Sequence, residues 1–222
     1  MSYFKMKIVF ICSTNGSVIK KALSTDLLSG YDIEFVSDRH CGIIDFAESN
    51  NFNYRVLEAQ SGRLFSSLLA ELYPDSDGVL FVSFYTRLLS KVFLQIHPGK
   101  VINFHPSILP ACPGMDGFGD TMKSGARFFG STVHFIDDGM DTGAPILQAA
   151  YPRDPNVCVT KHRHRVFLQQ VISLLQVIDW FSNSDVICGN AVNIQNTSFE
   201  PSEFSPNISL EYMAMYQEWL SE

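Results

Sequence analysis

The sequence lacks the marks of several protein classes. Its five cysteines (Cys12, Cys41, Cys112, Cys158, Cys188) contain no CxxC pair, which argues against a disulfide framework and against a zinc site. We expect buried, reduced thiols. The longest apolar runs, KIVFIC and VISLLQVI, are far shorter than the roughly 20 residues of a membrane helix, and residues 1–12 have no signal-peptide layout. These absences predict a cytoplasmic protein with no membrane partner.

Basic residues are also scarce. Sixteen Lys and Arg stand against 23 Asp and Glu, for a net charge of −7. This balance argues against a nucleic-acid partner, because the phosphate backbone is bound by surplus positive charge. Apolar material is plentiful, since 46% of the 222 residues are hydrophobic, which is enough to bury a substantial core.

Short apolar runs alternate with stretches of helical periodicity. Strands are predicted at 7–12, 33–37, 54–57, 78–83 and 100–104, and helices at 18–28, near 42–49 and at 63–73. Two further strands are predicted at 131–136 and 144–150, followed by a helix that ends near residue 182. Strands and helices in this order predict an α/β fold with a mostly parallel sheet and crossover helices.

The last residues differ in composition. Residues 188–206 are rich in Asn, Ser and Pro, and a final amphipathic stretch places Tyr212, Tyr216 and Trp219 on one helical face. We therefore predict a domain at 1–186 and a C-terminal extension at 187–222. The aromatic face is expected to dock on the body of the protein or on a second subunit.

The first loop, Thr14 to Ser17, follows the first strand and enters a helix. Ligands of open parallel sheets gather at the carboxyl ends of the strands. The loop could hold an anion with its backbone N–H groups and the helix dipole. It could equally be a plain glycine turn in which Asn15 or Ser17 caps the helix.

A second polar loop follows the fifth strand. Asn103 and His105 lie two residues apart, so an extended backbone points both to the same side. Such a pair suits a site where an amide donor and a titratable ring act on one carbonyl. In the alternative interpretation Asn103 caps the strand and His105 satisfies a loop carbonyl.

Four segments together resemble one family. NFHPSILP at 103–110, PG at 113–114, GSTVHFIDDGMDTGAPILQ at 130–148 and NGS at 15–17 are similar to the glycinamide ribonucleotide transformylases, within the wider group of formyltransferases that use 10-formyltetrahydrofolate. The resemblance covers roughly residues 7–183. It implies a Rossmann-like formyltransferase fold with helices on both faces of a twisted sheet, an N-formyltransferase activity, and 10-formyltetrahydrofolate as co-substrate.

The resemblance also implies a catalytic triplet of Asn103, His105 and Asp141. A neutral amine attacks the formyl carbon, and Asn103 would donate a hydrogen bond to the oxyanion that develops. His105 would add charge-assisted stabilisation and move protons, while Asp141 would raise the pKa of His105 and order a water molecule. No catalytic metal is predicted.

Two segments are implied to hold the pterin with main-chain groups, Tyr85 to Leu89 and Ile136 to Thr142. The implied contacts are Tyr85, Arg87, Leu89, Ile136, Asp137, Asp138 and Gly139. One of Leu88 and Leu89 is expected to be ordinary core, and Asp137 and Asp138 also suit a turn. The Leu109–Pro110 bond is a candidate cis peptide by resemblance.

The acceptor side departs from the purine enzyme. That family's phosphate loop reads Gly-Asn-Gly-Ser-Asn, whereas Thr14 and Val18 replace its first and last residues here. Gln170 stands where a glutamate meets the ribose, and residues 115–120 lack the usual His and Arg. The implied acceptor contacts are Asn15, Gly16, Ser17 and Gln170.

These departures favour a small-molecule amine other than glycinamide ribonucleotide, such as a nucleotide-linked amino sugar. The alternatives are a phosphoribosylglycinamide formyltransferase of purine biosynthesis, a catalytically silent folate-binding protein, and a hydrolase that releases formate. A homodimer is compatible with the sequence. The basic cluster at 161–165 is interpreted as a solvated helical face or as a contact for a phosphate or the folate tail.

Overall fold

A computed structural model describes residues 6–75, 77–188 and 191–222. The strands are β1 Lys7–Cys12, β2 Asp32–Ser37, β3 Asn53–Val56, β4 Val79–Phe84, β5 Val101–His105, β6 Phe128–Phe135, β7 Pro145–Pro152, β8 Val186–Cys188, β9 Val192–Ile194 and β10 Phe204–Ser205. The helices are α1 Ser17–Leu23, α2 Gly42–Ser49, α3 Gly62–Leu72, α4 Lys91–Leu94, α5 Gly117–Ser124, α6 Val159–Ser182 and α7 Leu210–Ser221.

Eight of the strands form one sheet in the order β10-β7-β6-β5-β4-β1-β2-β3, and β8 and β9 form a separate hairpin. The pairs β1–β2, β2–β3, β1–β4 and β4–β5 are parallel, whereas β6–β7 and β7–β10 are antiparallel. In β1 and β2, five consecutive residues are buried, as expected of strands covered on both faces. The predicted mostly parallel α/β fold is confirmed.

The chain divides into two compact units. Of the described residues, the first comprises those within 6–17, 28–103 and 135–143, and the second comprises those within 18–27, 104–134 and 144–222. In the first, Phe65 and Leu69 of α3 pack with Phe81 of β4 and Phe93 of α4 in one apolar cluster. In the second, α6 is the central element, with more than half of its residues buried.

Several predicted boundaries were wrong. Helix α1 ends at Leu23 and not near 28, because Ser24 and Thr25 donate their hydroxyls to the carbonyls of Lys21 and Ala22 and so compete with the helical pattern. Helices α4 and α5 and strands β8 to β10 were not predicted. All five are short, and too few residues are available in each to show a period.

The C-terminal residues are packed within the second unit. Strand β10 pairs with β7 and forms the edge of the sheet. The predicted burial of the aromatic face on α7 is confirmed for Tyr216, which is 1% exposed, and for Trp219, which is 9% exposed, whereas Tyr212 is half-buried. The ammonium group of Lys21 lies 4.6 Å from the centre of the Trp219 ring. The boundary between residues 186 and 187 stays a prediction.

All five cysteines are free thiols. The expectation that they are buried holds for Cys12 and is wrong for Cys158 and Cys188, which are exposed; Cys41 and Cys112 are half-buried. In the described part of the chain, no helix combines the length and the apolar character needed to cross a bilayer. The cytoplasmic location and the homodimer stay predictions.

Candidate functional site

The predicted catalytic pair lies at the end of β5. Asn103 and His105 both belong to this strand, so its alternation places them on the same face. Asn103 is half-buried and His105 is 4% exposed. The strand thus presents an amide and an imidazole toward the same side, as predicted.

The imidazole of His105 is held by the loop that follows. Its Nε2 lies 2.8 Å from the carbonyl oxygen of Cys112, which also accepts from the Ser107 hydroxyl at 3.2 Å. A carbonyl only accepts hydrogen bonds, so Nε2 carries a proton here. Nδ1 is therefore the nitrogen at which a neutral ring would gain a proton. This contact matches the alternative interpretation of His105, and it also defines the tautomer that a catalytic role would use.

Gly117 sets the space beside this ring. A Cβ atom on Gly117 would lie 2.4 Å from Nε2 of His105, so no larger residue fits without moving the imidazole. Gly117 is the first residue of α5, whose N-cap Asp116 accepts a hydrogen bond from Gly119. Gly117 was not predicted as a site residue, because 115–120 was interpreted as a loop. The pattern of an Asp cap ahead of a helix was its signal.

The loop from 106 to 112 is held by a small polar network. The Thr132 hydroxyl donates to the carbonyl of Ser107 at 2.8 Å and accepts from the amide of Leu109 at 3.0 Å. The side chain of Gln148 donates to the carbonyl of Leu109 at 2.7 Å. The Leu109–Pro110 bond is cis, as the resemblance implied. These bonds give the loop that carries the Cys112 carbonyl a defined shape.

Asp141 lies in a tight turn between β6 and β7. Asp137 is a turn former, as expected, because its carboxylate accepts from the amide of Gly139 at 3.0 Å and from the hydroxyl of Thr142 at 2.7 Å. Asp141 itself has a φ of 55°, a left-handed conformation that few non-glycine residues adopt. The convergence of Asn103, His105 and Asp141 on one point stays a prediction.

The segment from Tyr85 to Leu89 has backbone amides without a hydrogen-bond partner in the described structure. In the described residues, the amides of Arg87, Leu88 and Leu89 donate to no other group of the chain. Leu89 is 6% exposed and belongs to the apolar cluster, so Leu88, at 56%, is the one whose side chain faces outward. Three consecutive open amides suit a planar ligand with several acceptors.

The remaining predicted cofactor contacts belong to the turn. Ile136 donates its amide to the carbonyl of Val101 at 2.9 Å and packs on the apolar cluster. The carboxylate of Asp138 lies 2.7 Å from the ammonium of Lys91, and both side chains are exposed. Gly139 lies against Thr142, and a Cβ atom there would overlap the Thr142 hydroxyl.

The first loop has the geometry of a glycine turn. Gly16 has a φ of 63°, and a Cβ atom on it would lie 2.5 Å from Ile43. The side-chain oxygen of Asn15 lies against Gly42, where a Cβ would be 2.2 Å away, and α1 begins at Ser17. Asn15 and Ser17 are exposed. Both interpretations of this loop stay open.

Gln170 and the basic cluster lie on α6. Gln170 is half-buried. Within the cluster, Nε2 of His162 lies 2.9 Å from the carbonyl of Asp154, and Arg165 pairs with Glu203, so these two side chains are not part of a solvated face. The guanidinium of Arg163 lies 4.3 Å from the centre of the Phe118 ring. Among the described residues no group of three His, Cys, Asp or Glu could hold a metal ion, and the absence of a catalytic metal stays a prediction.

Comparisons with known proteins all find formyltransferases. A family model described as formyl transferase matches residues 6–178. A phosphoribosylglycinamide formyltransferase of Bacillus subtilis (strain 168) is 49% identical over 70 residues, 32% of this chain and 36% of the relative. The enzyme of that name from Haemophilus influenzae is 29% identical over 137 residues, 62% of this chain and 61% of the relative. The aligned chain therefore spans less than two thirds of these relatives.

A solved structure is similar over a larger share. Glycinamide ribonucleotide transformylase 1 from Symbiobacterium toebii has a TM-score of 0.76 and 26% identity, covering 87% of this chain and 95% of that one. The likeness extends beyond the domain that the family model matches, because 87% of 222 residues exceeds the span 6–178.

Proposed function

The chain belongs to the formyl transferase family, and we propose that it moves the formyl group of 10-formyltetrahydrofolate to a primary amine. The nitrogen of the neutral amine attacks the formyl carbon, and a new C–N bond forms. The bond from that carbon to N10 then breaks. A proton leaves the attacking nitrogen and one arrives at N10, so the products are a formamide and tetrahydrofolate.

The observation that carries this proposal is the end of β5. Asn103 and His105 lie on one face of the strand, and the His105 tautomer is defined by the Cys112 carbonyl. Asn103 would donate its side-chain N–H to the oxyanion, which is the group that gains charge in the transition state. His105 would take and return a proton at Nδ1. Asp141 would stabilise the imidazolium that results.

The folate side of the proposal is supported by the segment 85–89. Its three open amides would donate to the acceptor atoms of the pterin, and Leu88 would contribute apolar surface. The formyl donor is consumed as a substrate. No residue of the chain needs to form a covalent bond to it.

For the acceptor, we propose glycinamide ribonucleotide. The support is the name carried by the relatives, which include the 49% identical protein of Bacillus subtilis and the structure from Symbiobacterium toebii. The left-handed Gly16 and the exposed residues Asn15 and Ser17 would hold its phosphate. The amino-sugar acceptor favoured by the sequence analysis becomes the second candidate.

The second candidate rests on the acidic start of α5. The segment with no His or Arg carries Asp116 and Asp120, and Lys123 lies 3.0 Å from the Asp120 carboxylate. The missing His and Arg remove positive charges that would attract a phosphate to this segment. Together with Thr14, Val18 and Gln170, this absence favours an acceptor whose phosphate groups are bound differently.

Steady-state assays with both acceptors test the proposal. We expect a kcat/KM for glycinamide ribonucleotide at or above about 10⁴ M⁻¹s⁻¹, and a value at least tenfold lower for each member of a panel of nucleotide-linked amino sugars. The reverse ratio would establish the second candidate. In that case the double variant Thr14→Gly, Val18→Asn, which restores the family's phosphate loop, should raise kcat/KM for glycinamide ribonucleotide. Release of formate without any acceptor would indicate a hydrolase.

Substitution of Gly117 tests the place of His105. Gly117→Ala adds a methyl group 2.4 Å from Nε2, so the imidazole must move. A displacement of about 1 Å at a catalytic group can cost about a hundredfold in rate, and we expect kcat to fall by that order. The fold should persist, since alanine is the better helix former by about 0.5–1 kcal/mol.

The control for this substitution is Ser124→Ala on the exposed end of the same helix, which should leave kcat unchanged. Thermal unfolding of all three proteins shows whether they fold alike. A Gly117→Ala protein with kcat within twofold of wild type would mean that the position of His105 is unimportant for turnover.

A further inference from the structure

A buried carboxylate lies directly beyond β2, at the edge where that strand ends. The Asp38 side chain is only 1% exposed, and it accepts hydrogen bonds from three other side chains. Its Oδ2 lies 2.9 Å from the hydroxyl of Tyr85 and 2.7 Å from Nη1 of Arg87, while Oδ1 lies 2.8 Å from Nε of Arg39. A buried charge is stable only when it is paired in this way.

These contacts join Asp38 to two residues of one segment. Tyr85 and Arg87 belong to the segment 85–89. They follow Asp38 in the chain by 47 and 49 residues, respectively. Arg87 donates from the same nitrogen to the carbonyl of Ala59 at 3.0 Å, and the amide of Ala59 donates to the main-chain oxygen of Asp38 at 3.1 Å. Asp38, Ala59 and Arg87 thus form a closed set of contacts.

The same segment is packed from its other side. A Cβ atom on Gly62, at the start of α3, would lie 2.2 Å from the carbonyl oxygen of Leu88, so the two main chains touch. The Ser13 hydroxyl accepts from the amide of Thr86 at 3.0 Å. The course of the backbone from 85 to 89 is therefore set by groups around it, among which Asp38 supplies a buried charge.

The protonation of Tyr85 fits this arrangement. Burial raises the pKa of Tyr85, and the hydrogen bond to Asp38 raises it further. The phenol remains a donor at neutral pH. Arg87 is 35% and Arg39 is 44% exposed at the side chain, so the buried carboxylate faces two guanidinium groups that reach solvent.

We propose that Asp38 is a positioning residue for the folate-binding segment. By holding the Tyr85 hydroxyl and the Arg87 guanidinium, it directs both side chains away from the segment's open amides. The amides of Arg87, Leu88 and Leu89 then keep one orientation before the ligand arrives, which lowers the entropy lost on binding. The proposal rests on the proposed function, because it assigns these amides to the pterin.

The test is the variant Asp38→Asn, with Glu34→Gln as its matched control. Glu34 is a second buried acid, on β2, and its side chain is 4% exposed. Its ion pairs in the described structure are with Lys7 and Arg55, outside the segment 85–89. Loss of a hydrogen-bonded charge typically costs about ten- to hundredfold. For Asp38→Asn we expect KM for 10-formyltetrahydrofolate and Kd for tetrahydrofolate to rise by about that factor, with kcat and the acceptor KM within about threefold.

Glu34→Gln should lower the stability to unfolding while leaving both folate constants unchanged. Should Asp38→Asn not fold, Tyr85→Phe removes one of its bonds at nearly constant volume, and we expect it to raise the folate KM severalfold. If either Asp38→Asn or Tyr85→Phe has the wild-type KM for 10-formyltetrahydrofolate and the wild-type Kd for tetrahydrofolate, the positioning role alone is overturned. A wild-type protein that does not bind tetrahydrofolate in calorimetry would overturn the proposed function, and this role with it.

Discussion

His105→Ala is expected to lower kcat by about 10²- to 10⁴-fold, the range in which a positioned acid-base group contributes to catalysis. The ring is buried, its Nε2 lies 2.8 Å from the Cys112 carbonyl oxygen, and Gly117 packs beside it without a Cβ atom. Alanine removes the one titratable ring of the β5 pair. The affinity for tetrahydrofolate should change little, because the loss falls on the transition state and not on ligand binding.

Asp141→Asn is the companion variant. Asparagine tolerates a left-handed φ as well as aspartate does, so the turn keeps its backbone while the charge disappears. We expect a fall in kcat, because the imidazolium of His105 would lose the negative charge that is proposed to stabilise it. Asn103→Ala should cost about 10²- to 10³-fold if Asn103 is the oxyanion donor.

The control for the loss of an imidazole is His40→Ala, which removes an exposed ring paired only with Asp45. It should leave turnover unchanged. The assays require conditions in which the chemical step limits the rate. Wild-type turnover in both His105→Ala and Asp141→Asn would falsify the catalytic assignment, and a reduced folate affinity in place of reduced kcat would move His105 to the binding surface.

Tyr216→Ala is expected to lower the free energy of unfolding by about 3–5 kcal/mol, the usual cost of deleting a buried aromatic ring. Tyr216 is 1% exposed, and its ring centre lies 5.1 Å from that of Phe204. Its hydroxyl donates to the Glu203 carboxylate at 2.6 Å. The same carboxylate oxygen accepts from Gln169 at 2.7 Å and from Nε of Arg165 at 3.2 Å.

The contributions of the Tyr216 ring and of its hydroxyl to stability can be measured separately. Burial raises the pKa of Tyr216, and the negative charge of Glu203 raises it further. The hydroxyl is therefore a hydrogen-bond donor at all ordinary pH values. Tyr216→Phe should therefore cost only the hydrogen bond to a charged group, about 1.5–3 kcal/mol. Leu210→Ala, at a side chain 89% exposed on the same helix, should stay within about 0.5 kcal/mol of wild type.

Urea unfolding followed by tryptophan fluorescence and circular dichroism measures all three variants. Trp180 and Trp219 both lie in the second unit, so the two probes together show whether the transition remains single. If Tyr216→Ala unfolds within 1 kcal/mol of wild type, α7 contributes little to the fold. That result would contradict the prediction that the C-terminal extension docks through its aromatic face.

The loop after β5 shows which features of the site the local sequence can predict. Residues 103–110 carry the family resemblance, and they predicted both the strand end and the cis Leu109–Pro110 bond. The partner of His105 was not predictable in the same way. Cys112 accepts through its main-chain carbonyl, which every residue type possesses, so no side-chain identity signals it. Gly117 was missed because helix propensity is poor in Gly-Phe-Gly-Asp.

The sequence by itself determined the alternation of strands and helices, the mostly parallel sheet and the family. Buried parallel strands such as β1 and β4 need continuous apolar residues, and that requirement is written locally in the chain. The tertiary structure alone decided that Asp38 holds Tyr85 and Arg87, and that the two-residue strand β10 adds to the edge of β7. Both depend on groups far apart in the chain, whose attraction exists only once folding has brought them within hydrogen-bond distance and removed the competing water.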